Sequence, residues 1–205
     1  MKYYILNKPY GVLSQFSDEG KRETLAGCGN FPKEVYPIGR LDADSEGLLL
    51  LSDDKMLKHL LLEPKYQHPR TYLVQVEGIP TDEALDKLRV GIIIEKKKTL
   101  SVEVKLLDKD PDLPARSKPI RFRKNIPTTW IEMTLCEGRN RQIRKMTAAV
   151  GYPTLRLIRI RIGSLTLEGL KPGESRELTL KEIESLRELV GIKKPNAPER
   201  HIRFK

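Results

Sequence analysis

Apolar positions recur along the chain with two different periods, and the switches between them mark the elements. The run Tyr3-Tyr4-Ile5-Leu6 is closed by Asn7-Lys8-Pro9-Tyr10-Gly11, which reads as a strand ended by a Pro/Gly turn. Residues 12–38 are loop-rich, with Gly20, Gly27, Gly29, Pro32 and Pro37. Leu48 to Leu51 are consecutive, a run short enough to be a buried strand. Ser52 then reads as a helix N-cap with Asp53 and Asp54 in the first turn. Leu57, Leu60 and Leu61 follow at helical spacing, and Pro64 ends that helix.

The stretch 71–78, TYLVQVEG, alternates and puts Tyr72, Val74 and Val76 on one face of a strand. Thr81 to Gly91 reads as a capped helix, and 92–107 as one or two strands interrupted at Glu95-Lys96-Lys97-Lys98. Residues 108–128 are rich in proline and charge and form a long connection. Alternation returns at 130–138, with Ile131, Met133 and Leu135 inward. Asn140 to Val150 predicts a helix with Ile143, Met146 and Val150 as its buried stripe. In RLIRIRIGSLTL the pattern puts Ile158, Ile160 and Ile162 on one strand face and Arg159 and Arg161 on the other. The last helix carries a capping box, Thr179 with Glu182, then Leu180, Ile183, Leu186 and Leu189, with Gly191 past its end. The fold class is α+β: a mixed, largely antiparallel sheet with helices packed on it. The chain has neither a glycine-rich phosphate loop nor strict βαβ alternation, which argues against a nucleotide-binding domain. From Lys193 to Lys205 no period remains, and the stretch reads as a mobile basic tail.

Composition changes the picture in one respect. With 205 residues, 39% hydrophobic and 32% charged, the chain reads as a soluble globular protein. No apolar run approaches the roughly 20 residues of a membrane span, and no signal-peptide core is seen. Cys28 and Cys136 lie far apart, and His59, His68 and His201 are scattered, so no metal is expected and the thiols fit a reducing cytoplasm. Net charge, however, is +10, and its location is informative. From Arg116 to Arg161 there are twelve Lys/Arg against Glu132 and Glu137, which leaves 26 basic and 26 acidic residues elsewhere. A basic excess held in one window favours a polyanionic partner, RNA or DNA. Within it, Arg139, Arg141, Arg144 and Lys145 crowd the start of a helix, where the macrodipole prefers anions. An anion, either phosphate or protein carboxylate, is therefore expected opposite them. Arg159 and Arg161 supply a second basic surface.

Against this cationic half stands GRLDADSEGLLLL, residues 39–51, with Asp42, Asp44 and Glu46 on alternate positions. A carboxylate does not help to bind a polyanion, so one placed in such a groove needs another reason. It can hold Mg²⁺ for phosphoryl chemistry, work in a general acid/base pair, or act as a lone nucleophile.

Four segments in order, NKPYG, GRLDADSEGLLLL, RTYLVQVEG and EGRNRQIRKM, resemble the RNA pseudouridine synthases, in the group typified by the enzyme acting on small-subunit ribosomal RNA. The resemblance covers about residues 3–190. It implies a catalytic domain over 1–192, built of two intimately packed halves, with the 193–205 tail outside the family pattern. It makes Asp42 the nucleophile and leaves Asp44 and Glu46 to shape the loop. Tyr72 becomes the residue that stacks on the uracil, and Arg144 the cationic partner of Asp42. Arg40, Arg139, Arg141, Lys145, Arg159 and Arg161 become candidate substrate contacts. Implied, too, are a uridine in large-subunit ribosomal RNA as substrate, a cytoplasmic monomer, and no metal, nucleotide or other cofactor. Many relatives carry an N-terminal RNA-binding module of the S4 type; this chain begins at the catalytic domain, so RNA affinity is expected from that domain. The competing expectation is a non-catalytic RNA-binding assembly factor on the same fold.

Overall fold

Residues 1–121 and 123–192 are described by a computed structural model; the expected tail lies outside the described residues. In chain order the first elements are β1 (Tyr3–Lys8), β2 (Tyr36–Pro37), β3 (Glu46–Ser52), α1 (Lys55–Leu62) and β4 (Arg70–Glu77). There follow α2 (Asp82–Val90), β5 (Ile93–Ile94), β6 (Lys97–Lys98), β7 (Glu103–Leu106) and β8 (Thr128–Leu135). The chain continues through α3 (Gln142–Ala149), β9 (Thr154–Ile162), β10 (Leu165–Thr166), β11 (Ser175–Glu177) and α4 (Leu180–Leu189).

The leucine run is the middle of the structure. Every residue of β3 is buried, because the strand is covered on both faces. Leu48 and Leu50 pack with Ile5, Leu57, Leu61 and Ile162, whereas Leu49 and Leu51 pack on the other side with Leu6, Leu25 and Val35. One sheet runs β11-β1-β3-β9-β4-β8-β7, with β2 on β3 and β10 on β9; β5 and β6 form a separate hairpin. A third core joins Val74 and Val76 of β4 with Ile131, Met133 and Leu135 of β8 and Ile143 and Met146 of α3.

All pairings in the main sheet are antiparallel except β3 with β9, which is parallel over only Glu46↔Ile158 and Gly47↔Arg159. This short seam joins the β1–β3 side of the sheet to the β4–β8 side. It requires a glycine: a Cβ on Gly47, at φ +104°, would stand 2.3 Å from the Arg159 carbonyl oxygen.

Three local expectations change. Ser52 is not a helix cap: β3 extends through it to pair with Tyr3, and its hydroxyl donates to the Lys2 carbonyl at 2.7 Å. Asp54 caps α1 instead, accepting from the Leu57 amide at 2.9 Å. Leu180 is 81% exposed, because it sits in the first turn of α4 on the side away from Leu186. The alternation in β9 breaks at Ile160, where a β-bulge lies between the pairs Thr71↔Arg161 and Tyr72↔Arg159. The bulge flips the alternation, so Arg159 and Arg161 do not share a face. Among the described residues no separate S4-type module is found, and no helix is long and apolar enough to cross a membrane.

Candidate active site

The loop 38–45, the start of β4, the end of β9 and the segment 136–142 before α3 together enclose a cavity of about 430 Å³. The sheet places its wall residues. Arg70 and Tyr72 project to the same side of β4, and the bulge brings Arg159 and Ile162 of β9 to that side beside them. Tyr72 is half-buried, with one part of its ring packed against the Val74–Met133 core.

The three acids of the opening loop have separate fates. Glu46 is buried and receives two hydrogen bonds from Arg156, at 2.9 and 2.8 Å. Asp44 receives a bidentate fork from Arg141, at 3.0 and 2.8 Å. Burial works against ionisation of Asp44, but the Arg141 fork and the charge of Arg144 outweigh it and hold this carboxyl below the usual aspartate range. Asp42 faces the cavity with 43% of its side chain exposed, and among the described residues its carboxylate has one ion-pair contact, Arg141 Nη1 at 3.4 Å.

The cations at the start of α3 meet protein carboxylates, which settles what balances the helix dipole there. Arg139 pairs with Glu137 at 3.1 Å and gives its remaining donors to the Lys97 and Lys98 carbonyls of the β5–β6 hairpin. Lys145 pairs with Glu95 at 2.6 Å. Arg141, the residue before α3, holds a left-handed conformation at φ 50° that turns its guanidinium back onto the acid loop.

Arg144 stands apart from the expected pairing. Its Nη2 donates to the Asp44 backbone carbonyl at 2.7 Å and its Nε lies 3.4 Å from the Asp44 carboxylate. The direct contact with Asp42 belongs to Arg141, because Arg144, one turn into the helix, reaches the loop two residues further on. Arg40 is exposed at the cavity rim. Arg159 is buried in the cavity wall, whereas Arg161 is exposed on the opposite face of β9, paired with Thr71. Thus the structure brings together Asp42, Tyr72, Arg40, Arg139, Arg141 and Arg159, places Arg144 just behind the loop, and leaves Lys145 and Arg161 outside the cavity.

Sequence reasoning passed over Arg70 and Ser45, which also line the cavity. Arg70 had a signal: it lies two residues before Tyr72 on an alternating strand and so shares its face. Ser45, inside the acid triplet, had none. No group of three His, Cys, Asp or Glu among the described residues is placed to hold a metal ion.

The comparisons with known proteins agree with this geometry. The family model described as RNA pseudouridylate synthase matches residues 2–149. A protein of Vibrio vulnificus named ribosomal large subunit pseudouridine synthase E is 51% identical over 180 residues, 87% of this chain and 76% of the relative. A protein of the same name from Xanthomonas axonopodis pv. citri is 52% identical over 170 residues, 82% of this chain and 89% of the relative. A solved structure titled crystal structure of pseudouridylate synthase superposes with a TM-score of 0.76 at 30% identity, covering 90% of this chain and 73% of that one. The chain belongs to the RNA pseudouridylate synthase family. It is an RNA pseudouridine synthase, an isomerase with the family's mixed sheet and packed helices.

Proposed function

We propose that this enzyme converts a uridine of large-subunit ribosomal RNA into pseudouridine, with Asp42 as the nucleophile and residues 1–192 as one catalytic domain. The relatives named above support the choice of RNA. One observation carries the choice of acid: Glu46 is tied to Arg156 and Asp44 to Arg141, so Asp42 is the member of the triplet that keeps a free carboxylate facing the cavity.

In the reaction the N1–C1′ bond breaks, the uracil turns, a C5–C1′ bond forms, and the C5 proton is replaced by one on N1. The base reaches Asp42 only after leaving its stack, as chemistry on a paired base requires. Tyr72 offers a ring face for the extruded uracil, and Arg141 holds the positive charge nearest the attacking carboxylate.

The test is Asp42→Asn, which keeps shape and removes the nucleophilic charge. Large-subunit rRNA from cells lacking the protein is incubated with each purified form, and pseudouridines are mapped. The wild type adds a pseudouridine and the Asn form adds none. Conversion by the Asn form at a comparable rate would remove Asp42 from the role.

A further inference from the structure

Two arginines of the cavity wall, Arg70 and Arg159, form no ion pair with any described carboxylate, although Asp42 lines the same cavity. Arg159 is 5% exposed. Its Nε donates to the Leu48 carbonyl at 2.8 Å, while its Nη2 is buried with no hydrogen-bond partner among the described residues. Arg70 donates Nη2 to the Leu61 carbonyl at 3.1 Å and forms no ion pair with a described carboxylate. Burial lowers the pKa of Arg70, and the positive charge of Arg159 lowers it further. A third donor, the Ser45 hydroxyl, lies at the same cavity and is likewise buried without a hydrogen-bond partner among the described residues.

A buried guanidinium with an unused donor is expensive to maintain, because the group has given up its hydration without a replacement. The cations at the start of α3 each have a carboxylate within ion-pair distance, which Arg70 and Arg159 do not. Arg70 and Arg159 flank Tyr72, one two residues along β4 and the other its cross-strand partner on β9. An anion held by them therefore sits at the edge of a base stacked on the phenol, at the reach of that nucleotide's own backbone.

We infer that Arg70 and Arg159, with the Ser45 hydroxyl, form a phosphate site in the cavity that grips a backbone phosphate of the target uridine itself. The inference rests on the reading of this cavity as the uridine site. Phosphate is favoured over a neutral base edge because two adjacent cations without an ion pair are matched by charge, and guanidinium forks match phosphate geometry. Held there, the phosphate fixes the ribose relative to Asp42 and sets the extruded nucleotide in place before reaction.

The test uses small probes, so that it does not depend on knowing the RNA site. Binding of uridine, uridine 5′-monophosphate and uridine 3′-monophosphate to the whole protein is measured by NMR titration, for the wild type and for Arg70→Gln. One of the two nucleotides should bind the wild type at least about ten-fold tighter than uridine, and Arg70→Gln should lose most of that difference. Arg159→Lys, which keeps a charge in the buried position, should weaken the preference less than Arg70→Gln does. Equal binding of nucleoside and both nucleotides by the wild type would overturn the proposal. So would an Arg70→Gln protein that keeps the phosphate preference but turns over slowly at saturating RNA, since the guanidiniums would then act on the base. Rescue of the rRNA reaction is scored separately: a wild type that modifies RNA but ignores the phosphate refutes this site alone, whereas a wild type that modifies no RNA refutes the function.

Discussion

Arg141 straddles two acids: its guanidinium forks onto Asp44 at 3.0 and 2.8 Å while one of its nitrogens reaches Asp42 at 3.4 Å. Asp44 thus absorbs most of the hydrogen bonding that would otherwise settle on Asp42. The loop keeps the Asp42 carboxylate near a cation without tying it down.

Asp44→Asn should release Arg141 onto Asp42. Turnover should fall about ten-fold, equivalent to about 1.4 kcal/mol, with little change in RNA affinity. Arg141→Gln in the Asp44→Asn background should recover part of the rate, as removing the liberated cation frees Asp42 again. Single-turnover rates of the two variants measure this, and a double variant slower than Asp44→Asn would contradict it.

Glu46→Gln should destabilise the fold by about 3–5 kcal/mol, because it strands Arg156 in a buried position. Replacing Arg156 by Met in that variant should restore much of the loss, since neither charge is then left alone. Urea midpoints of the two proteins decide it; a single-variant effect below about 1 kcal/mol would show that the pair is solvated.

Gly47→Ala should be among the most damaging small substitutions in the chain. The new methyl would meet the Arg159 backbone at 2.3–2.7 Å and also face a positive φ. Strand β9 must then move away from β3, at a cost on the order of 3 kcal/mol. Thermal unfolding should show the loss, and rRNA modification should fall with it because Arg159 and Tyr72 shift together. Near-wild-type stability would mean the seam is looser than its register indicates.

Lys8 gives a pH signature. It is fully buried, with Nζ donating to the Pro9 and Val12 carbonyls at 2.9 and 2.7 Å. Burial pulls its pKa down from 10.5 to about 8, against the weaker pull of Cys28 and the nearby carboxylates. Between those two values the unfolded chain binds a proton that the folded chain does not, so stability rises with pH across that window. The gain is up to about 3 kcal/mol and is lost again as pH falls through the folded value. Lys8→Met removes this component. The difference in unfolding free energy between wild type and variant should therefore grow in favour of the wild type from pH 8 toward 10.5; parallel curves would refute the assignment.

What the sequence reveals of this fold depends on how far each feature reaches along the chain. The buried leucine strand, the inward face of β8, and the Thr179–Glu182 capping box are all local, and all were legible. The bulge at Ile160 was not: isoleucine and arginine alternate without a break from 158 to 162, and the irregularity arises only where β9 pairs with Thr71 and Tyr72. The site divides in the same way. The acid triplet stood out as a triplet, but the sorting of its members needed Arg156, 110 residues from Glu46, and Arg141, 97 residues from Asp44. The family resemblance implies Arg144 as the partner of Asp42, whereas the direct contact belongs to Arg141, whose left-handed conformation has no sequence signature.

The seam between β3 and β9 also has a history in time. During synthesis the acid loop leaves the exit tunnel well before β9, and pairing across about 110 residues must wait for the later strand. The partners of Asp44 and Glu46 lie 97 and 110 residues further along the chain, so the triplet is sorted only by the folded sheet. The cavity is therefore a product of the whole chain: it exists only where the strand carrying Arg156 and Arg159 lies beside the leucines.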